Sequence, residues 1–411
     1  MPRVLTMILS GGEGQRLYPL TKDRAKSAVT FGGIYKIIDI ILSNFVNSGL
    51  MKIKVITQYK SHSLDEHIAR AWKLSPVLDN FIETMPAQQR LGKDWFKGSA
   101  DAVFQCLNVI EDENPENLCI FGGDHIYAMD IRQVLDFHVR RNADCTISVI
   151  PKPAAESTSF GVVVTGRGGQ VIGFQEKPQN PKTMVRRPGE ILASMGNYIF
   201  KADVLKEAIT QDAMKEESTH DFGKNILPAL LEAGKRVLAY DFSRNEIEGH
   251  SEHNRGYWRD VGTIDSFHEA NMDLVSYNPC FNLYNPNWPV RALVRHLPPA
   301  KFVHTDEASE RVGSAMDSMV GDGSIVSGGK VIRSILSPGV RINSFSLVKD
   351  SILFDGVKVG RGAELNRVIV DKEVFVPPGI KIGRDHDQDR KKGFFVSPGG
   401  IVVVSKRQKI E

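Results

Sequence analysis

Three stretches near the C-terminus constrain the fold most: SILSPGVRI (334–342), SILFDGVKV (351–359) and VIVDKEVFV (368–376) each begin 17 residues after the one before. Ile335, Ile352 and Ile369 align across them, as do Val340, Val357 and Val374, and then Ile342, Val359 and Val376. Small or turn-forming residues lie between. Short apolar strands at such an interval suit a parallel β-helix of about three six-residue sides per coil, because each coil buries its apolar residues by stacking on its neighbour. The interval is one residue short of that ideal, so the coils are expected to be imperfect. A β-sandwich with regular hairpins is the alternative. There, facing residues mirror one another, whereas here like residues recur.

Up to about residue 275 the pattern differs. KIKVIT (52–57), NLCIFGG (117–123) and CTISVI (145–150) read as buried strands. IDIILSNFVNSG (38–49), SADAVFQCLNVI (99–110) and IRQVLDFHVRRN (131–142) read as helices, with TIDSFHEANMDLV (263–275) as a closing helix. The alternation predicts an α/β domain with a mixed, mostly parallel sheet over 1–275. Residues 276–310 hold five prolines in YNPCFNLYNPNWPV and HLPPAKF and read as a linker packed against its neighbours, leaving 311–411 for the β-helix.

Net charge over the 411 residues is +3, too small to argue for a nucleic-acid or membrane partner. No apolar run reaches the ~18 residues of a membrane span. The apolar stretch after Met1-Pro2-Arg3 is too short for the core of a signal peptide. The four cysteines (Cys106, Cys119, Cys145, Cys280) form no C-x-x-C pair, and three lie in apolar patterns, which suits buried free thiols. A cytoplasmic protein is expected.

The chemistry-bearing signal lies at the N-terminus. The apolar run 4–9 leads into LSGGEGQRLYPLT (9–21), with Gly11, Gly12 and Gly14 followed by Arg16. Glycines after a strand let backbone N–H groups approach a phosphate closely, and an arginine can neutralise the same oxygens. The spacing matches neither the P-loop nor the dinucleotide fingerprint, and a glycine turn that merely closes a strand is the bland alternative. Arg24 and Lys26 in TKDRAKSAVTFGG (21–33) add two cations, a grouping that suits a triphosphate or simply a solvated charged loop.

GGEGQRLYPLT, RAKSAVTFGG, ITQYKSHSL, PAQQR, GSADAV, GGDHIY, EKP, SMGNYIF, HDFGKNILP and YWRDVGT occur in that order. Together they resemble the bacterial ADP-glucose pyrophosphorylases (glucose-1-phosphate adenylyltransferases), nearly end to end. The resemblance implies a Rossmann-like nucleotidyltransferase sheet (GT-A-like), a C-terminal left-handed parallel β-helix, and a homotetramer. It also implies ATP and glucose 1-phosphate as substrates. A sugar-phosphate oxygen would attack the α-phosphorus in line, so the protein's task is to position two anions and stabilise developing charge.

The roles that follow are implied by the resemblance. Gly11, Gly12 and Gly14, with Arg16 and Lys26, would hold the ATP phosphates. Asp124, after a strand, and Asp260 would hold Mg2+; a turn former and a partner for an arginine are the plainer readings. Lys177 would bind the sugar phosphate and Glu176 the glucose hydroxyls, where residues alone suggest a solvated turn. Ser194 and Gly196 would line the sugar pocket. Asp221 is a sugar-site candidate and equally a helix N-cap. Gln88 would read adenine, with Gly92 in the same loop; an exposed polar loop is the alternative. None of the eleven histidines is assigned a site.

Members of the family commonly respond to sugar phosphates and to nucleotides or phosphate. Arg24 with Arg390, Lys391 and Lys392 would form an effector site, or a solvated basic turn. Asp23 stands where some members carry an activator-binding lysine, which predicts a weak response to fructose 1,6-bisphosphate. Ser27 replaces a common proline, and Phe96 a common tyrosine. Two other readings stay open: a nucleotidyltransferase for another nucleotide or sugar 1-phosphate, and a non-catalytic regulatory subunit. Acyl transfer on the β-helix lacks a histidine between 320 and 383 to act as base.

Overall fold

A strand that is apolar on both faces must be covered on both, and β1 (Val4–Ser10) has that character. In the structure, a computed structural model that describes residues 2–87, 95–185, 187–306 and 311–410, β1 lies in the middle of a nine-stranded mixed sheet. β2 (Lys52–Thr57) flanks it on one side, followed by β3 (Phe81–Pro86); β4 (Asn117–Gly122) flanks it on the other. All these pairings are parallel. The remaining strands are β5 (Cys145–Pro153), β6 (Gly161–Thr165), β7 (Val171–Glu176), β8 (Glu190–Lys201) and β9 (Val237–Asp241). β8 runs antiparallel to β4, β5 and β6; β7 pairs antiparallel with β6, and β9 parallel with β5.

Alternate β1 residues enter two cores. Ile8 packs with Ile38, Ile41 and Phe45 of the helix Ile37–Asn47, and Leu5 and Met7 pack with Val103 and Leu205 on the other face. The helix expected over 99–110 is two pieces, Ser99–Phe104 and Leu107–Glu113. The Cys106 amide bonds back to Val103 O at 3.0 Å, tightening the turn and stopping the first piece. No helix among the described residues is long and apolar enough to cross a membrane.

In the C-terminal region, short strands stack into three ladders. Ile335 pairs with Ile352 and Ile352 with Ile369; Ile342 pairs with Val359 and Val359 with Val376. These pairings are parallel, as coils require and hairpins forbid. Val340, Val357 and Val374 are buried inside. The ladder begins at Lys301, inside the stretch expected as linker, where Lys301–Asp306 pairs parallel with Ile325–Ser327. Pro298 and Pro299 hold the backbone extended just before it. The rest of that stretch packs on the first unit: Trp288 Nε1 donates to Asn44 Oδ1 at 3.0 Å.

One apolar cluster spans both units, joining Phe31, Ile126 and Phe267 to Ile335, Ile352 and Phe354. Burying side chains of this size contributes about 2 kcal/mol each, enough together to hold the units as one body. Polar ties add register: His268 Nε2 lies 2.7 Å from Asp350 O, and Arg24 Nη2 lies 2.8 Å from Asp371 Oδ2.

A buried histidine makes the first unit acid-sensitive. His138 sits under β5, with Nδ1 2.8 Å from Thr146 Oγ1. Burial, helped by nearby Lys201 and opposed by Asp144, lowers its pKa from 6.5 to about 4. Between those values the unfolded chain binds the proton that the folded one refuses. Stability therefore falls as pH drops from about 6.5 toward 4, by about 3 kcal/mol at most from this group. Melting curves over that range should flatten in His138→Leu; an unchanged slope assigns the acid sensitivity elsewhere.

Candidate active site

The site forms where β1 and β4 end side by side. Gly14 has φ +62°, in the left-handed region, and a Cβ there would stand 3.1 Å from both Lys26 Cβ and Thr21 Cγ2. Only glycine lets the loop turn this closely into the one-turn helix Gln15–Leu17. A Cβ on Gly12 would meet nothing within 4 Å, so the loop faces open space on that side. Gly12, Gly14, Arg16, Lys26 and Asp124 line one cavity of about 320 Å3, with Ser27 and Gly262. Gly11 precedes it in the same loop, with Gln58 Cβ beneath.

Asp124 and Asp260 come together through a two-stranded ladder. His125–Tyr127 pairs antiparallel with Trp258–Asp260, and His125 stands opposite Asp260. Lys26 Nζ then lies 2.9 Å from Asp124 Oδ2 and 2.9 Å from Asp260 Oδ1. Burial alone would lower the Lys26 pKa, but Asp124 and Asp260 outweigh it and raise it. Burial would likewise raise Asp124; Lys26, His125 and Arg16 instead hold its carboxyl well below the usual carboxylate range. Arg16 stays exposed, with Nη2 3.5 Å from Asp260 Oδ2.

Sequence reasoning left His125 out. Its Nε2 is 3.6 Å from Asp124 Oδ1, and its buried Nδ1 has no hydrogen-bond partner among the described residues. Asp124, His125 and Asp260 offer ligand atoms within 4.8 Å of one another. The available signal was adjacency: His125 follows Asp124 in GGDHIY. Its ring lies 5.0 Å from that of Trp258, and Lys152 Nζ lies 5.6 Å from the same indole.

The sugar-side candidates lie at the end of β7, within β8 and at the cap of the helical turn Phe222–Ile226. Glu176 ends β7, and Lys177 Nζ lies 3.1 Å from Glu176 Oε1. Lys177 has φ +46°, and its amide donates to Phe160 O at 3.2 Å. Ser194 and Gly196 lie where the pairing of β8 with β5 slips register, and Gly196 has φ +70°. The Gly196 amide donates to Ser194 Oγ at 3.2 Å. Asp221 is engaged in capping: Oδ1 accepts from the Gly223 and Lys224 amides and Oδ2 from Ser99 Oγ. Gln88 and Gly92 lie outside the described residues.

The basic residues expected to act together are separated. Arg24 is buried on Asp371 and lines a cavity of about 260 Å3 between the two units, whose other lysines and arginines are Lys36, Arg70, Arg295, Lys372 and Lys406. Arg390, Lys391 and Lys392 do not line it. They lie at the end of the helix His386–Lys391, where Arg390 Nη1 pairs with Asp387 at 3.0 Å. A run of basic residues in sequence does not say which side of a coil it occupies.

Residues 5–276 match the nucleotidyl transferase family, and residues 298–404 match the GlmU-like C-terminal hexapeptide family, whose repeats fit a left-handed β-helix. Among curated proteins, a glucose-1-phosphate adenylyltransferase of Anaeromyxobacter sp. (strain Fw109-5) is 52% identical, with the whole of both chains covered. Proteins of the same name from Frankia casuarinae and Bifidobacterium adolescentis are 50% and 49% identical, each over 98% of both chains.

Proposed function

Because the chain belongs to the glucose-1-phosphate adenylyltransferase family, we propose how its residues divide the work of joining two anions. It is a nucleotidyltransferase that takes ATP and α-D-glucose 1-phosphate to ADP-glucose and diphosphate. A sugar-phosphate oxygen attacks the α-phosphorus; a new P–O bond forms as the bond to the departing diphosphate breaks. No protein nucleophile is needed.

The observation that carries the assignment of roles is the cluster at the mouth of the glycine loop, Lys26 Nζ 2.9 Å from each of two carboxylates. Amides of Gly11, Gly12 and Gly14 cradle the phosphates, and Arg16 faces the leaving diphosphate. Lys177 takes the sugar phosphate and Glu176 the glucose hydroxyls, with Ser194 and Gly196 shaping the pocket and Asp221 holding its wall through the cap. Gln88 reads the adenine edge, with Gly92 beside it.

Nucleotidyltransferases of this family typically use a divalent metal. The donors fit a hard one: two carboxylates, with the His125 imidazole beside them. Mg2+ held by Asp124 and Asp260 would neutralise phosphate charge. The proposal extends to control by sugar phosphates and nucleotides or phosphate, with the inter-unit cavity at Arg24 as the anion site in place of residues 390–392. It also extends to a homotetramer in the cytoplasm.

One assay tests the core of this reading. Diphosphate release from purified protein with glucose 1-phosphate should require Mg2+ and favour ATP over the other three nucleoside triphosphates. A panel of sugar phosphates added to the same reaction reports the effectors, with fructose 1,6-bisphosphate expected to act weakly. Equal rates with every nucleotide would remove the adenine assignment of Gln88, and strong bisphosphate activation would remove the inference from Asp23.

A further inference from the structure

The position of Lys26 carries more than phosphate binding. Its side chain is 9% exposed, and its ammonium sits between Asp124 Oδ2 and Asp260 Oδ1 at equal distances of 2.9 Å. Two carboxylates this close repel unless a cation lies between them. The remaining oxygens have weaker company: Asp124 Oδ1 faces His125 Nε2 at 3.6 Å, and Asp260 Oδ2 faces Arg16 Nη2 at 3.5 Å. Both are longer than the Lys26 contacts, so Lys26 is the cation that hydrogen-bonds both carboxylates at once among the described residues.

Resting on the metal reading above, we propose that Lys26 is an internal placeholder for the divalent ion, holding the two carboxylates together in its absence and passing its ammonium to the nucleotide phosphates when the ion arrives. The anchor of the side chain supports this. Lys26 Cβ stands against Gly14, and the residue lines the same cavity as Gly12 and Arg16. A displaced ammonium stays within the phosphate loop. Without nucleotide it has lost its partners, so the ion alone binds weakly; a triphosphate supplies new partners, so ion and nucleotide assist one another.

The first test uses Mn2+ alone, its free fraction read by electron paramagnetic resonance. Lys26→Met has no competing ammonium and should bind Mn2+ about tenfold more tightly than wild type, roughly 1.4 kcal/mol. Equal or weaker binding overturns the placeholder. Absence of binding to either protein overturns both the placeholder and the metal reading, whereas loss confined to Asp124→Asn upholds the metal reading by itself. The second test needs no variant. Acetic anhydride labelling of Lys26 in the wild-type protein, quantified by peptide mass spectrometry, should rise several-fold when Mg2+ is added without nucleotide. Unchanged labelling where Mn2+ binding is measurable overturns the proposal, even if Lys26→Met fails to fold.

Discussion

Asp124→Asn should lower turnover about a thousandfold while leaving the fold intact. The substitution keeps the shape of the side chain and an oxygen acceptor for Lys26, and it removes only the charge. That charge is present throughout the working pH range, because Lys26, His125 and Arg16 outweigh burial and keep the carboxyl ionised far into acid. The wild-type rate should therefore show no acid limb from this residue near neutrality. Lys26 retains Asp260 at 2.9 Å, so the ammonium is not left alone and the melting temperature should move little. Diphosphate release, with far-ultraviolet circular dichroism and a thermal melt as controls, checks the result. Turnover that survives the substitution would remove Asp124 from the catalytic and metal-binding assignment.

The C-terminal coils were legible because a solenoid writes its contacts into the chain as a repeat. Ile335, Ile352 and Ile369 align in sequence for the same reason that they pair in register. The glycine loop was legible for a local reason, since glycines follow directly on the apolar run of β1. The carboxylate pair was not readable from periodicity. Asp124 and Asp260 come from distant parts of the chain, and what joins them is a ladder of two three-residue strands, too short to leave a pattern. Only the family resemblance pointed there. His125 escaped because a histidine leading into Ile126 and Tyr127 looks like any strand residue until the opposite strand places Asp260 across from it. Arg24 was grouped with 390–392 on charge alone. Its actual partner, Asp371, lies in a coil turn and breaks no pattern in the sequence.

Arg16→Ala should separate catalysis from stability at the same loop. The Arg16 side chain is 66% exposed and meets Asp260 only at 3.5 Å, a contact that contributes at most about 1 kcal/mol to folding. Arg24 is the contrast: buried on Asp371, it leaves an unpaired charge if cut, a loss of structure before it is a loss of function. What Arg16 offers is a guanidinium at the rim of the cavity lined by Gly12, Gly14 and Lys26. Charge grows on the leaving diphosphate as the bond to the α-phosphorus breaks. An interaction that strengthens at that moment raises kcat more than it lowers KM. Steady-state kinetics should therefore show kcat down by about 10²–10³-fold, KM for ATP changed much less, and a melting curve close to wild type. Arg16→Lys should recover part of the loss, because it restores the charge without the planar fork that grips two oxygens at once. If KM rises and kcat holds, Arg16 grips ATP equally before and during bond breaking, and stabilisation of the departing diphosphate passes to Lys26 and the loop amides.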